Sequence, residues 1–309
     1  MDDLRVLVLA AAGAVMLVVP GVAASPDGKG FPSPGAAAQA LVTAAKNDDV
    51  TALVEILGPS AKSIITTGDP VADRKSRRTF AARAVQKMSL VPYHGSQAAK
   101  TILAGKDGWP LPIPIVEKNG QWYFDTAEGK QEILSRRIGG NELDAIEVSR
   151  GFVESQHEYA AQNRTADNAP VYAQKIISSP GEHDGLYWPA DGESDESPIG
   201  EIVARAIAEG YTNKQDPYHG YYFRVLKSQG PHASGGSMSY LENGLMTKGF
   251  ALIAWPSNYA STGIMTFIVD KTGIVYQKDL GRRTAEIAGA YASYDPDQTW
   301  TPVSDSKRP

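Results

Sequence analysis

The chain has 309 residues, of which 42% are hydrophobic and 21% are charged, a composition typical of a globular protein long enough for two domains. With 30 Lys and Arg residues against 35 Asp and Glu residues, its net charge is -5, which gives no global basic field, and we expect no nucleic-acid partner. Cysteine is absent, which excludes disulfides, thiolate metal sites and a lipid-modified cysteine.

The first 24 residues predict a secretory signal peptide. Residues 6–19 form an apolar run of the length of a signal-peptide core, and small residues follow it. We expect cleavage between Ala24 and Ser25, which places the mature chain in the periplasm or outside the cell. Because Asp2 and Asp3 weaken the basic start, an uncleaved N-terminal anchor stays open as the alternative. No other stretch reaches the roughly 18 apolar residues of a spanning helix, so we expect no transmembrane span in the mature chain.

Residues 25–33 are predicted to be a linker rich in Pro, Gly and Ser, and residues 34–140 a first domain of α+β class. Helices are predicted to begin after Ser33, after Asp48 or Asp49, and after Asp69, because each is a capping residue at the start of a helical pattern. The alternating prolines at 110, 112 and 114 indicate an edge strand or an extended lead-in, and the Asn-Gly pair at 119–120 predicts a tight hairpin. A last helix, 126–138, is predicted to end at the Gly-Gly pair at 139–140, which we take as the domain boundary.

Residues 141–300 are predicted to form a second α+β domain, followed by a flexible tail at 301–309. A helix capped by Asn141 comes first, a polar region at 163–216 follows, and an antiparallel sheet ends the domain. Phe250, Leu252 and Ala254 alternate with other apolar residues, so both faces of this strand are predicted to be covered. Asp270 and Lys271 are predicted to lie at an exposed turn. The helix at 142–160 is the simplest partner for one face of the sheet.

The order of the elements and four short sequence stretches in the second domain form a recognisable pattern. It runs from SQHEYA at 155–160 through GYYF at 220–223 and AWP at 254–256 to TFIVDKTGIVY at 266–276. In these stretches, residues 141–281 resemble the globular domains of type IV pilins and type II secretion pseudopilins, which implies a pilin-like helix and antiparallel sheet. In a pilin the apolar segment and prepilin cleavage motif join this helix directly, whereas here a whole domain intervenes. The resemblance therefore implies the fold without the filament.

Further motifs extend over nearly the whole mature chain. They are AQAL at 38–41, LGP at 57–59, residues 63–69, WPLP at 109–112, WYFD at 122–125, RRIG at 136–139 and NEL at 141–143. In these motifs the chain resembles a family of secreted bacterial proteins described only as a domain of unknown function, number 2950. The resemblance implies export and carries no activity.

Four carboxylates within six residues are the candidate metal site. Asp191, Glu193, Asp195 and Glu196 offer the hard oxygen ligands that calcium prefers, and some pseudopilins hold calcium in the corresponding loop. The stretch lacks the central Gly and distal Glu of an EF-hand, so a solvated acidic loop is the alternative. We assign no other cofactor.

No catalytic residue is assigned from the sequence. The five histidines lack a metal-binding spacing, and no G-x-S-x-G motif marks a nucleophile. Six cations between residues 74 and 87 indicate either an exposed helix face or a site for an anionic surface, and the aromatic residues near the hairpin indicate core or a pocket lining.

These observations favour an exported, non-enzymatic binding or assembly-accessory module of the envelope, with an unknown envelope protein or surface as its partner. Two alternatives stay open. One is an exported hydrolase whose acid and base residues meet only at the junction of the two domains, where a His within about 3 Å of a carboxylate would be its signature. The other is a structural protein stabilised by calcium.

Overall fold

A computed structural model describes residues 28–189, 196–200 and 216–304 of the chain. These residues form helices and antiparallel sheets, which confirms the predicted α+β class. The predicted cleavage site between Ala24 and Ser25 lies outside the described residues. The described helices are α1 (Pro34–Lys46), α2 (Val50–Leu57), α3 (Lys62–Ile65), α4 (Pro70–Gln86), α5 (Thr126–Gln162) and α6 (Thr284–Ala290), with 3-10 turns at Pro59–Ala61 and Gly281–Arg283.

The N-terminal half, residues 28–140, packs helices α1, α2 and α4 against one antiparallel sheet. The strands are β1 (Met88–Tyr93), β2 (Ser96–Ala104), β3 (Trp109–Pro110), β4 (Ile115–Lys118) and β5 (Gln121–Phe124). They are ordered β1-β2-β4-β5, with β3 paired to β2. The predicted caps Ser33, Asp49 and Asp69 are confirmed, and the Asn119–Gly120 hairpin joins β4 to β5 with both φ angles positive.

Part of the predicted linker is bound to this sheet. Phe31 exchanges two backbone hydrogen bonds with Trp122, of 2.9 and 2.8 Å, and its side chain is buried. The backbone of Phe31 pairs at the edge of the sheet, and burial of its apolar side chain stabilises this position. Residues 28–33 therefore belong to the N-terminal half and are not a free spacer.

The helix α5 is continuous through the Gly-Gly pair, so the predicted helix end at Gly139 and the predicted cap at Asn141 are wrong. Neither glycine adopts the left-handed backbone of a helix terminus. On one side of the pair Ile133 packs on the N-terminal core, and on the other Phe152 lies in the C-terminal core. Packing at both ends outweighs the penalty of about 1 kcal/mol for each internal Gly.

Replacing Gly139 by alanine is expected to stabilise the protein by about 0.5–1 kcal/mol, because nothing lies within 4 Å of an added Cβ and alanine favours a helix. Urea unfolding of Gly139→Ala measures the change. Gly129→Ala is the opposite control, since its Cβ would lie 2.6 Å from the Cα of Ile113 and should destabilise. A loss of stability in Gly139→Ala would mean that the helix bends at this glycine.

The C-terminal half, residues 141–304, contains a five-stranded antiparallel sheet in the order β16-β15-β14-β13-β8. Its strands are β8 (Tyr221–Leu226), β13 (Ala251–Pro256), β14 (Met265–Asp270), β15 (Tyr276–Asp279) and β16 (Thr301–Pro302). Short pairs accompany it: β6 (Lys175–Ile177) with β7 (Gly185–Tyr187), β9 (Ser228–Gln229) with β10 (Met238–Ser239), and β11 (Leu241–Glu242) with β12 (Leu245–Met246). Residues 301–302 of the predicted tail thus pair with the sheet.

Both faces of the sheet are covered, as the alternation of apolar residues predicted. Helix α5 lies on one face, where Phe152 meets Phe250 edge to face at 5.7 Å. Arg224 points to the other face and donates hydrogen bonds to the carbonyls at the end of α6. The prediction that Asp270 is exposed is wrong, because its side chain is buried. Its Oδ1 accepts hydrogen bonds from the backbone N–H and the hydroxyl of Thr272, so the turn itself supplies the partners of this buried carboxylate.

Candidate functional site

A two-residue turn brings the C-terminal half against helices α4 and α5. Tyr218 and Tyr221 exchange backbone hydrogen bonds of 2.9 and 3.0 Å, and His219 and Gly220 between them have φ angles of 47° and 75°. Two consecutive residues with positive φ are the requirement of the tightest hairpin turns. The turn places one imidazole and one glycine N–H at the junction of the two halves.

His219 is paired with a carboxylate of α5. Its Nδ1 lies 2.7 Å from Oδ2 of Asp144, and the Tyr218 ring stacks on the imidazole with a centroid separation of 4.2 Å. The side chains of His219 and Asp144 are 20% and 40% exposed, so the pair is accessible to solvent. A carboxylate on Nδ1 fixes the tautomer of a neutral imidazole and leaves proton transfer to Nε2.

Gly220 is bound to the N-terminal half. Its N–H donates to Oδ2 of Asp69 over 2.9 Å, while Oδ1 of this buried carboxylate caps α4 by accepting the N–H groups of Val71 and Ala72. A Cβ on Gly220 would lie 2.6 Å from Nδ2 of Asn141, so the contact also requires the absence of a side chain. Asp69 therefore joins the start of α4 to the turn.

The middle of α5 holds the start of β14. Nδ2 of Asn141 donates to the carbonyl of Thr262 over 2.8 Å, and Oε1 of Glu142 accepts the N–H groups of Ile264 and Met265 at 2.9 and 3.0 Å. Burial, and secondarily the Glu142 carboxylate, raise the pKa of Tyr221. These side chains satisfy main-chain groups that would otherwise be left unpaired at the junction.

The neighbouring part of the N-terminal half contains a buried acid, Asp73, and a partly buried base, Arg137. Asp73 accepts the N–H and the hydroxyl of Thr67, both at 2.8 Å, and Arg137 of α5 donates to the carbonyl of Ile64. Burial raises the pKa of Asp73 despite these hydrogen bonds, and burial lowers the pKa of Arg137 despite the charge of Asp73. Both groups hold the loop around α3 in place.

A second polar cluster resembles a serine–lysine arrangement but lacks its chemistry. Nζ of Lys175 lies 2.7 Å from Oγ of Ser179 and 2.5 Å from Oδ2 of Asp184. The hydrogen bond from Lys175, followed by that from the Ser179 N–H, lowers the pKa of Asp184 to about 2. An ammonium beside an ionised carboxylate is not a base for a serine hydroxyl, so this cluster serves to fix the loop at 178–185.

The remaining sequence candidates are dispersed. His94 is exposed, His157 lies against Phe250, His183 stacks on Trp188, and His232 pairs with Asp295. Arg74 and Arg77 bind Asp48, and Arg83 binds Asp107. Near the hairpin, Phe124 is buried in the core, whereas Trp109, Trp122 and Tyr123 are partly buried.

The calcium hypothesis remains a prediction. Asp191, Glu193 and Asp195 lie outside the described residues, and Glu196 is exposed. Among the residues that the structure does describe, no three His, Asp or Glu side chains are grouped to hold a metal. A calcium site at 191–196 would make thermal unfolding sensitive to a chelator, and a melting temperature unchanged by EDTA would contradict it.

The hydrogen bond between His232 and Asp295 predicts a pH-dependent stability. Asp295, through its 3.0 Å bond and then its charge, raises the pKa of the exposed His232. A raised folded-state pKa stabilises the fold fully below the ordinary His pKa of about 6.5, and this gain is lost as pH rises through the raised value. In thermal melts, His232→Gln should therefore be less stable than the wild type at acidic pH and match it at alkaline pH. Identical pH profiles for the two proteins would contradict the assignment.

Comparisons with known proteins identify a family and no activity. A family model described as "Protein of unknown function (DUF2950)" matches residues 28–303. No curated protein and no solved structure matches the chain. Of the described helices, none combines the length and the apolar character needed to cross a membrane.

Proposed function

We propose, from the premise that this chain belongs to the DUF2950 family of proteins of unknown function, that it is an exported binding or assembly-accessory module of the bacterial envelope. In this proposal the mature chain begins at Ser25 and works in the periplasm or outside the cell. The apolar run at 6–19 and the small residues that follow it support export.

The observation that carries the proposal is the use of the junction side chains. Asp69, Asn141 and Glu142 each accept or donate hydrogen bonds to main-chain groups far away in sequence. Asp69 joins the two halves, and Asn141 and Glu142 fix the middle of α5 to the start of β14, instead of converging on a common point where a substrate would react. A joint of this kind suits a scaffold that presents surfaces to a partner.

The pilin-like character of the C-terminal half is also part of the proposal. It is supported by the order of elements, since the long helix α5 precedes an antiparallel sheet and packs on β13 and β14. Because an architecture does not determine a function, the resemblance supports packing and recognition only in general terms.

Cell fractionation combined with crosslinking tests the proposal. A C-terminally tagged chain should appear in the exported fraction with Ser25 as its first residue, as determined by mass spectrometry. Crosslinking in intact cells should then give the same envelope component in independent preparations. A chain that stays in the cytoplasm, or one exported without a reproducible neighbour, would contradict the proposal.

The pairing of His219 with Asp144 at 2.7 Å favours a second candidate, a hydrolase with its site at the junction. In that reaction Nε2 of His219 would take a proton from water while the water oxygen attacks a carbonyl carbon and the C=O π electrons move to the carbonyl oxygen. Asp144 would stabilise the resulting imidazolium, which would then give the proton to the departing alcohol or amine as the tetrahedral intermediate collapses. The nucleophile in this candidate reaction is water.

A substitution pair distinguishes this second candidate from the first. If the protein hydrolyses chromogenic esters or amides, His219→Gln should lower the rate by about 100-fold or more. His232→Gln is the matched control, since it also removes a histidine paired with an aspartate but lies elsewhere. No turnover by the wild-type protein, or an equal loss in both variants, would reject the hydrolase.

A further inference from the structure

The two halves of the chain have opposite charge, which the overall value of -5 conceals. Residues 28–140 contain 15 Lys and Arg against 10 Asp and Glu, a net charge of +5, whereas residues 141–309 contain 14 against 22, a net charge of -8. Such a division produces an electrostatic dipole along the chain. An anionic surface would therefore attract the N-terminal half and repel the C-terminal half.

The positive charge is concentrated on one helix. Six of the 15 cations lie on α4 or at its C-terminal cap: Arg74, Lys75, Arg77, Arg78, Arg83 and Lys87. The helix contains one carboxylate, Asp73, and this side chain is buried against Thr67. The carboxylates of α4 therefore do not offset the cations on its outer face.

Ion pairs neutralise only part of this charge. Arg74 and Arg77 share the single carboxylate of Asp48, and the Arg74 side chain stays 53% exposed. The side chains of Arg78 and Lys87 are exposed, and neither makes a hydrogen bond or ion pair with the described residues. The outer face of α4 thus retains a net positive charge after its internal pairs are counted.

The same face carries an exposed apolar side chain. Arg78, Ala82 and Val85 recur at helical spacing and all point to solvent, with Val85 65% exposed. The adjacent side of the helix, at Ala81 and Ala84, is buried in the N-terminal half. Cations that flank an exposed apolar residue are the arrangement with which surface helices contact an anionic bilayer.

The start of the described chain belongs to this half as well. Gly28 packs against the carbonyl of Ile56, and the N–H of Lys29 donates to the carbonyl of Glu55. Residues 1–27 therefore lead into the basic half.

We propose that the outer face of α4 is a docking surface for a bilayer rich in anionic phospholipids. This inference rests on the proposed envelope role and specifies the partner as the lipid surface. Arg78 and Lys87 bind phosphate headgroups, Val85 enters the headgroup boundary, and the acidic half points away from the membrane. Because the attraction is electrostatic, it weakens as the salt concentration rises.

Vesicle sedimentation tests this proposal on the chain from Ser25 onward, which lacks the apolar run and contains every described residue. We expect binding to vesicles of equal parts phosphatidylglycerol and phosphatidylcholine, and none to phosphatidylcholine alone. The double variant Arg78→Glu/Lys87→Glu should bind at least about 25-fold more weakly, at about fivefold for each cation. Its control is Lys271→Glu/Arg282→Glu, which makes the same charge change at exposed positions of the acidic half and should bind as the wild type does.

Three results would overturn the docking surface: equal binding to both kinds of vesicle, an equal loss in both double variants, or no binding at low salt. If soluble polyphosphate displaces the protein from the vesicles, whereas free phospholipid at the same concentration does not, the surface is a polyanion site. That result would also overturn the docking surface. Thermal melting of both double variants checks that they are folded. If the vesicle experiment contradicts the docking surface, fractionation and crosslinking in cells still test the envelope role separately.

Discussion

Replacing Asp69 by alanine is expected to lower the free energy of unfolding by about 2–4 kcal/mol, which is a large part of the stability of an ordinary domain. The substitution removes two functions of one buried carboxylate. It removes the cap of α4, worth about 1 kcal/mol, and leaves the buried N–H of Gly220 without its charged acceptor, which costs about 1–3 kcal/mol. Urea unfolding followed by circular dichroism measures the loss.

Asp49→Ala is the matched control for Asp69→Ala. Asp49 also caps a helix, accepting the N–H of Ala52 at 2.9 Å, but it is exposed and makes no contact with the C-terminal half among the hydrogen bonds described. Its removal should cost about 1 kcal/mol. Asp69→Asn should fall between the two, because Oδ1 can still cap α4 while the amide places a donor against the Gly220 N–H. Equal losses for Asp49→Ala and Asp69→Ala would show that the bond between the halves adds nothing.

Replacing Gly263 by alanine is expected to destabilise the protein by more than about 3 kcal/mol. An added Cβ would lie 2.1 Å from the hydroxyl oxygen of Tyr221 and 2.6 Å from its Cζ. The Tyr221 ring is 1% exposed and its hydroxyl donates to the carbonyl of Met265, so the ring has no room to move without breaking that bond. The shift of the melting temperature gives the effect.

Two further variants make the Gly263 result specific. Gly273→Ala introduces the same methyl group at a φ of 78° where nothing lies within 4 Å, so only backbone strain of about 1 kcal/mol is expected. Adding Tyr221→Phe to Gly263→Ala removes the atom in closest contact and should restore part of the stability. If Gly273→Ala proved as damaging as Gly263→Ala, the clash with Tyr221 would not be the cause.

The sequence predicted the elements whose signals are local. Asp69-Pro70 fixes a helix start because the cap and the proline both act within one turn, and Asn119-Gly120 fixes a hairpin because both residues accept positive φ. The continuity of α5 was missed because the two glycines are a local stop signal that packing at both ends overrides. Asp270 was placed in solvent because the buried Asx turn that satisfies it depends on the surrounding sheet.

The candidate site could not be read from the sequence at all. Asp144 and His219 are 75 residues apart, and Asp69 and Gly220 are 151 residues apart, so no spacing rule links them. The only sequence signal of the tight turn between Tyr218 and Tyr221 is a His-Gly pair, which is not one of the preferred turn dipeptides. What brings these groups together is the packing of β13 and β14 on α5, and that is a property of the assembled fold.

The bond between Asp69 and Gly220 also has a consequence for the order in which the protein folds. It closes a loop of 151 residues, and the entropy cost of such a closure exceeds what one hydrogen bond returns unless other contacts have already shortened the loop. The packing of α5 against β14 shortens this loop. We therefore expect the hydrogen bond between Asp69 and Gly220 to form late, after the rate-limiting step of folding. Stopped-flow measurements should then show that Asp69→Asn, which keeps the cap, unfolds faster while it refolds at nearly the wild-type rate.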